Sequence, residues 1–383
     1  MVRLGNCFTI IRNGASIKQI DGASGLPITR IETISKCEIN RDKFGYANIC
    51  DEEKYKDYFL HDDDILMSHI NSEKHLGKCA IYHKEKDEKI IHGMNLLMLR
   101  ANKTVISPQY AVYYFETPFF KQQIVNITKK SVNQASFTVT ALKEIEIPLL
   151  SYEKQNKIVK ILDKLNEIIN KRQQQLKKLD ELVKSRFIEM FGDPLKNTLK
   201  WKIKKLKLIA PANEFTGDIE SNNEKYWLLQ LDMIESNTGK ILSKYFVSLD
   251  KIGVSTIKFS RDNVLYSKLR PYLNKVVLPD EAGFATSEMI PLFPTEELNK
   301  IFLAFVLRDD GIVRFLNAHV SGSKMPRVQA DVFWNLGIIL PPSTLQNQFA
   351  DFVEQTDKSK LEIQKSLDKL EILKKSLMQQ YFD

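Results

Sequence analysis

At 383 residues the chain is long for one domain and suits two or three, and its 43% apolar residues are ordinary for a globular protein. No apolar run approaches the ~20 residues that span a bilayer, and Met1 is followed by V-R-L-G-N-C rather than a charged-then-apolar leader. A net charge of +8 fits either plain solubility or a polyanionic partner, and the four cysteines (Cys7, Cys37, Cys50, Cys79) lack C-x-x-C spacing and read as free thiols of a cytoplasmic protein.

Residues 1–150 read as a first globular unit. It opens with V-R-L-G-N-C-F-T-I-I, and Gly14, Gly22, Gly25 and Pro27 then punctuate loops and short strands. Residues 63–70, 78–82 and 95–100 alternate like strands. Residues 107–124 read as one helix, with Ser107 as its cap and Pro108 in its first turn.

From Tyr152 to Phe191 there is no Gly and no Pro, and apolar residues recur every three or four positions from Ile158 to Met190. Forty residues at ~1.5 Å each make a rod of roughly 60 Å, too long for one globular core to cover. Gly192 and Pro194 end it. A second globular unit runs from about Trp201 to Pro342, with 205–210, 263–277, a helix at 299–308 and an exit at 321–342 repeating the plan of the first. A second rod runs from Ser343 to Phe382. Shifted by 191 residues, 147–191 falls on 338–382 without a gap and with twelve identities, among them Gln155-Asn156 on Gln346-Asn347 and Phe191 on Phe382. The chain is internally duplicated. If the rods pair antiparallel, two dissimilar heads sit at the ends of a spacer. The rods also fit a plain scaffold, and Arg172, Thr356 and Lys360 interrupt their apolar seam, which hints at further partner helices.

A search for chemistry returns little. There is no Walker A motif, no G-x-G-x-x-G, no H-E-x-x-H, no D/N-P-P-aromatic motif, and no E-x-K following Pro279-Asp280. The acidic run after His61 reads as a solvated loop rather than a metal site. No catalytic residue, metal or cofactor is therefore expected. Basic and amide side chains do recur at matching places in the two heads. The first carries His69, Asn71 and Lys74 after a strand, then Lys129, Lys130, Asn133 and Gln134 in a loop. The second carries Lys268, Arg270, Tyr272 and Lys275 after the matching strand, then Lys324 and Arg327 in the matching loop. Each alone reads as an ordinary solvent-facing residue. As a set recurring in both heads they suit DNA, because Arg and Lys hold phosphates or guanine edges and Asn and Gln match adenine.

Several segments together resemble the specificity subunit of type I restriction-modification enzymes: I-P-L-L-S-Y-E-K-Q-N-K-I-V (147–159), S-R-F-I-E-M-F-G-D-P (185–194), N-V-L-Y-S-K-L-R-P-Y-L (263–273) and S-G-S-K-M-P-R (321–327). The first head departs from the pattern, with M-S-H-I in place of Y-S-K-L-R-P-Y and no K-M-P-R. The resemblance implies α/β heads plus long helices: target-recognition domains at 1–150 and 201–342, helical spacer regions at 151–200 and 343–383, an antiparallel coiled coil and pseudo-twofold symmetry. It implies double-stranded DNA as ligand, two methyltransferase subunits docked on the helices, and restriction subunits beyond them. The chain itself would be non-catalytic. A scaffold without a DNA role, or the specificity part of a fused methyltransferase-nuclease, are the competing readings.

Overall fold

The structure, a computed structural model, describes residues 1–35, 38–131, 134–220 and 223–382. It divides into two compact units, residues 1–173 with 365–383, and residues 174–364.

The first unit is built on a four-stranded antiparallel sheet in the order Phe8–Asn13, Leu96–Ala101, Asp64–Ser68, Cys79–Tyr82. The strand Asp64–Ser68 is buried along its whole length. Ile65 and Met67 join Leu97, Leu99 and Ile81 in one apolar cluster, while Leu66 joins Leu96, Met98 and Tyr82 in another. Successive side chains of a strand point to opposite faces, so covering both faces demands an unbroken apolar run rather than alternation. Its entry is fixed by Asp64, whose carboxylate accepts the His61 N–H at 2.7 Å and the Arg100 guanidinium at 2.8 and 2.7 Å.

The single helix expected at 107–124 is two helices, Pro108–Glu116 and Pro118–Ile127. Pro118 has no N–H to give and pushes the residue before it out of the helical region. Thr117 accordingly sits at φ −67°, ψ 149°, and its hydroxyl caps the second helix by accepting the Phe120 N–H. Ser107 does not cap with its side chain; its backbone N–H donates instead to Gln155 Oε1 at 2.8 Å.

The second unit carries a three-stranded antiparallel sheet, Val276–Val277, Val264–Ser267, Met289–Leu292. Interleaved with it along the chain is a four-stranded sheet, in the order Phe246–Ser248, Lys225–Leu229, Gly283–Thr286, Thr256–Phe259, whose central pair is parallel. The helices Lys300–Arg308 and Asp310–Ala318 repeat the broken pair of the first unit, with Asn299 and Asp309 as their caps. In both units a short strand at the start pairs with one at the exit: Val2–Arg3 with Glu146–Ile147, and Lys202–Lys205 with Gly337–Leu340.

The two long helices run from Tyr152 to Phe191 and from Ser343 to Phe382, as the absence of breakers predicts. Within the first unit, Ile158 and Leu162 share a core with Met378 and Phe382. Within the second, Val183, Phe187 and Phe191 share one with Phe349 and Val353. In each, the early part of one helix meets the late part of the other, which makes the pairing antiparallel. Lys360, an interruption of the apolar seam, is met by Asp180 at 2.7 Å and Asp357 at 3.2 Å. Gly192, at φ +72°, takes the left-handed conformation that ends the first long helix.

The repeated glutamine has a structural reason. Gln155, fully buried, accepts from Ser107 N and donates to Val105 O at 3.0 Å and Leu150 O at 2.9 Å. Gln346, also fully buried, accepts from Asn299 N at 2.8 Å and donates to Glu297 O at 3.1 Å and Pro341 O at 2.8 Å. One amide thus ties the entry of each long helix to the start of its unit's helix pair and to the turn before the long helix.

Candidate DNA interface

Each head ends its buried strand in the same way. In the first, the chain leaves Asp64–Ser68 and continues as Ile70–Asn71. That strand pairs with Ala135–Ser136, which pairs in turn with Lys129–Lys130. The hairpin between the last two is closed by Ser131, whose N–H and hydroxyl both donate to Gln134 O at 2.8 Å. In the second head, Leu269 bridges Arg327, and Arg327–Val328 pairs with Val320–Ser321. Phe137 N donates to His69 O at 3.2 Å, and Val328 N donates to Lys268 O at 3.0 Å. These bonds set the correspondence: His69 stands at the place of Lys268, Asn71 at that of Arg270, and Ser136 at that of Arg327.

The turn that follows is also shared. Ser68 N donates to Lys78 O and Ser267 N to Lys275 O. The residue before each lysine is left-handed: Gly77 at φ +71° and Asn274 at φ +49°. Gly adopts that conformation freely, and Asn tolerates it better than other side chains.

The described candidates do not all face solvent. Lys129, Lys130 and Gln134 are exposed and Asn71 half-buried, and Lys130 pairs with Glu73 at 2.9 Å. Asn133 lies outside the described residues. His69 is withdrawn from the surface, only 5% exposed, with its ring against Phe137. Burial lowers its pKa to about 4, so it stays neutral at neutral pH. In the second head Arg270 and Lys324 are exposed, Tyr272 is 48% exposed, and Lys268 is half-buried. Arg270 is itself left-handed, at φ +49°, and its N–H donates to Pro326 O at 2.7 Å, which fixes the backbone from which its side chain departs. Lys275 is drawn inward: its ammonium donates to Leu231 O at 2.5 Å, and desolvation lowers its pKa. Arg327 is held by Glu288 through bonds of 2.6 to 3.1 Å. Lys78 and Glu288 escape sequence reasoning, because only the strand register reveals that Lys78 matches Lys275 and that Glu288 faces the hairpin.

Near the acidic run, Asp62, Asp63 and His83 offer atoms within 4.8 Å of one another. Lys103 already neutralises Asp63 at 2.6 Å, and Lys84 N donates to Asp62. Cys7 is a buried free thiol and Cys50 an exposed one, Cys79 is buried, and Cys37 lies outside the described residues. Among the described residues no helix is long and apolar enough to cross a membrane.

Two heads that share the buried strand, the broken helix pair and a hairpin laid against the strand's exit, with different side chains on it, define an internally duplicated protein. The sequence model of the type I restriction modification DNA specificity domain matches residues 1–178 and again 199–372, and the chain belongs to that family. It is 40% identical over 226 residues to the protein assigned as type I restriction enzyme MjaX specificity subunit in Methanocaldococcus jannaschii, over 58% of this chain and 52% of that one. It is 23% identical over 217 residues to the type I restriction enzyme EcoKI specificity subunit of Escherichia coli K12, over 55% of this chain and 46% of that one. The matched length is about half of these curated relatives. In fold, the chain is similar to the crystal structure of a type I restriction-modification S subunit from M. genitalium, with a TM-score of 0.60 and 13% identity, covering 100% of this chain and 95% of that one. A structure from a type I R-M complex-assembly study gives a TM-score of 0.57 at 14% identity, covering 99% and 96%.

Proposed function

We propose that this chain is the DNA-specificity subunit of a type I restriction-modification complex, each head reading one half of a bipartite double-stranded site. The observation that carries this is the conserved hairpin geometry with exchanged chemistry. Equivalent positions hold Asn71 and Ser136 in one head and Arg270 and Arg327 in the other, while His69, at the place of Lys268, is withdrawn from the surface. A shared backbone with different side chains is what two half-sites of different sequence require. The long helices set the unread spacer and dock two methyltransferase subunits, which carry the adenine-N6 chemistry, while restriction subunits carry cleavage. The chain itself is non-catalytic and works in the cytoplasm.

The deciding experiment maps adenine methylation across the genome of cells carrying the chain with its modification partner and of cells lacking only the chain. A split motif with an unread spacer is expected to vanish on deletion; unchanged methylation refutes the proposal. At the residue level, Arg270→Ala is expected to cost ~1–3 kcal/mol on the half-site of the second head only. Binding measured against duplexes mutated in either half checks it, and an equal loss on all DNA would make Arg270 a phosphate contact.

A further inference from the structure

We propose that Glu288 is a positioning residue that sets Arg327 to read a guanine in the half-site of the second head. This rests on the DNA-specificity reading and extends it to a residue that does not itself touch DNA.

The geometry is specific about which edge of the guanidinium is used. Nε donates to both Glu288 oxygens at 3.1 and 3.0 Å, and Nη2 donates to Oε1 at 2.6 Å. Nη1 has only a long contact of 3.5 Å to Met325 O. A guanidinium carries five N–H groups in a fixed plane. Engaging the Nε/Nη2 edge leaves the Nη1/Nη2 edge, with its two parallel donors, unclaimed by Glu288 on a side chain that is 41% exposed. That is the pattern that matches the O6 and N7 acceptors of guanine in the major groove.

Both partners are rooted in paired backbone rather than in a free loop. Glu288 O accepts from Lys268 N at 3.0 Å, one residue before the strand Met289–Leu292. Arg327 is paired with Ser321 on one side and bridged to Leu269 on the other. The carboxylate side chain is the more sheltered of the two, 20% exposed against 41% for the arginine. The Arg327 hydrogen bonds also hold the Glu288 carboxyl below the usual range, so the pair remains charged into mildly acidic solution. A long side chain left free would have to be ordered at the moment of binding; here the protein orders it in advance.

The first head has no such pair. The sheet register places Leu96 opposite Ser68 as it places Met289 opposite Ser267, so Asn95 stands where Glu288 does. Ser136 stands where Arg327 does. The same frame is charged in one head and neutral in the other, which confines the predicted effect to one half-site.

The test uses the full chain with its methyltransferase partners, selected on a pool of random duplexes whose bound fraction is sequenced. Glu288→Gln keeps size and removes the charge, Arg327→Lys keeps charge and removes the fork, and Arg327→Ala removes both. All three are expected to weaken the preference for G·C at one and the same base pair roughly tenfold. The preference of the first head's half-site is expected to stay intact, which also shows that each variant is folded. Stronger binding of Glu288→Gln to every duplex, with all preferences kept, would make Glu288 a mere counter-ion and overturn the proposal. Arg327→Ala keeping every preference would overturn it as well. In both of those cases a two-part motif survives and the specificity reading stands, whereas a wild-type pool without any preferred sequence removes both.

Discussion

Gln155→Leu is expected to destabilise the first unit by about 3–4 kcal/mol while leaving the second close to wild type. The substitution keeps approximate volume in a site with no solvent access, so packing changes little. It strands the Ser107 N–H and the carbonyls of Val105 and Leu150, all three of which the glutamine amide serves. A buried polar group left without its partner costs about 1–3 kcal/mol; two of the three are carbonyls, the more readily left under-satisfied, so the sum falls near the bottom of the combined range. Hydrogen exchange followed by mass spectrometry gives the readout. Protection is expected to fall across 105–127 and at the start of the long helix, and to hold across 299–318. Gln346→Leu is expected to give the mirror image through Asn299, Glu297 and Pro341. Equal loss in both units from either variant would show that the amide acts on the whole chain rather than as a local tie.

Phe382→Ala is expected to be as severe, at about 3–5 kcal/mol, and again in the first unit. Phe382 is 3% exposed, with its ring 5.0 Å from that of Tyr110 and 6.1 Å from that of Tyr114. Removing it opens a cavity against the helix Pro108–Glu116, more than two hundred residues upstream in the chain. Ile372→Ala on the same helix, where the side chain is 70% exposed, is expected to change stability by less than about 0.5 kcal/mol. Denaturation followed by exchange in 108–127 separates the two. The duplicate position, Phe191, is buried in the second unit with its ring 4.7 Å from Phe302, which explains why this phenylalanine survives in both copies.

What the sequence made legible follows the range of the interaction. The long helices were readable to their ends, because the lack of breakers, the apolar stripe and the Gly192 stop are all local. The Gln-Asn identity was visible, but its cause was not: the groups that Gln155 serves at Val105 and Ser107 lie some fifty positions upstream. The break at Thr117-Pro118 is local as well, written in the Pro118 ring that forces Thr117 out of the helical region. The hairpin surface depends on pairing between residues near 70, 130 and 136, which no short-range pattern encodes. Hence the candidate residues could be assembled from recurrence, while the inward turn of His69 and Lys275 could not. Whether a side chain after a strand points out or in is decided by neighbours such as Phe137 and Leu231. The Glu288–Arg327 pair spans thirty-nine positions and leaves no sequence signature.

The interleaving of the two units bears on how the protein is made. The second unit is one continuous segment, 174–364, and all its partners are present once that segment has been synthesised. The first unit is synthesised first but lacks Met378 and Phe382 until the segment 365–383 follows. At ribosomal speeds of roughly 5–20 residues per second, the intervening segment keeps it waiting for about 10–40 s. Throughout that interval the faces of Tyr110, Ile158 and Leu162 that these residues will cover stay open, so the head made first is the one completed last. Synthesis runs in one direction along this chain and consolidation in the other, and the first head is where a chaperone has most to do.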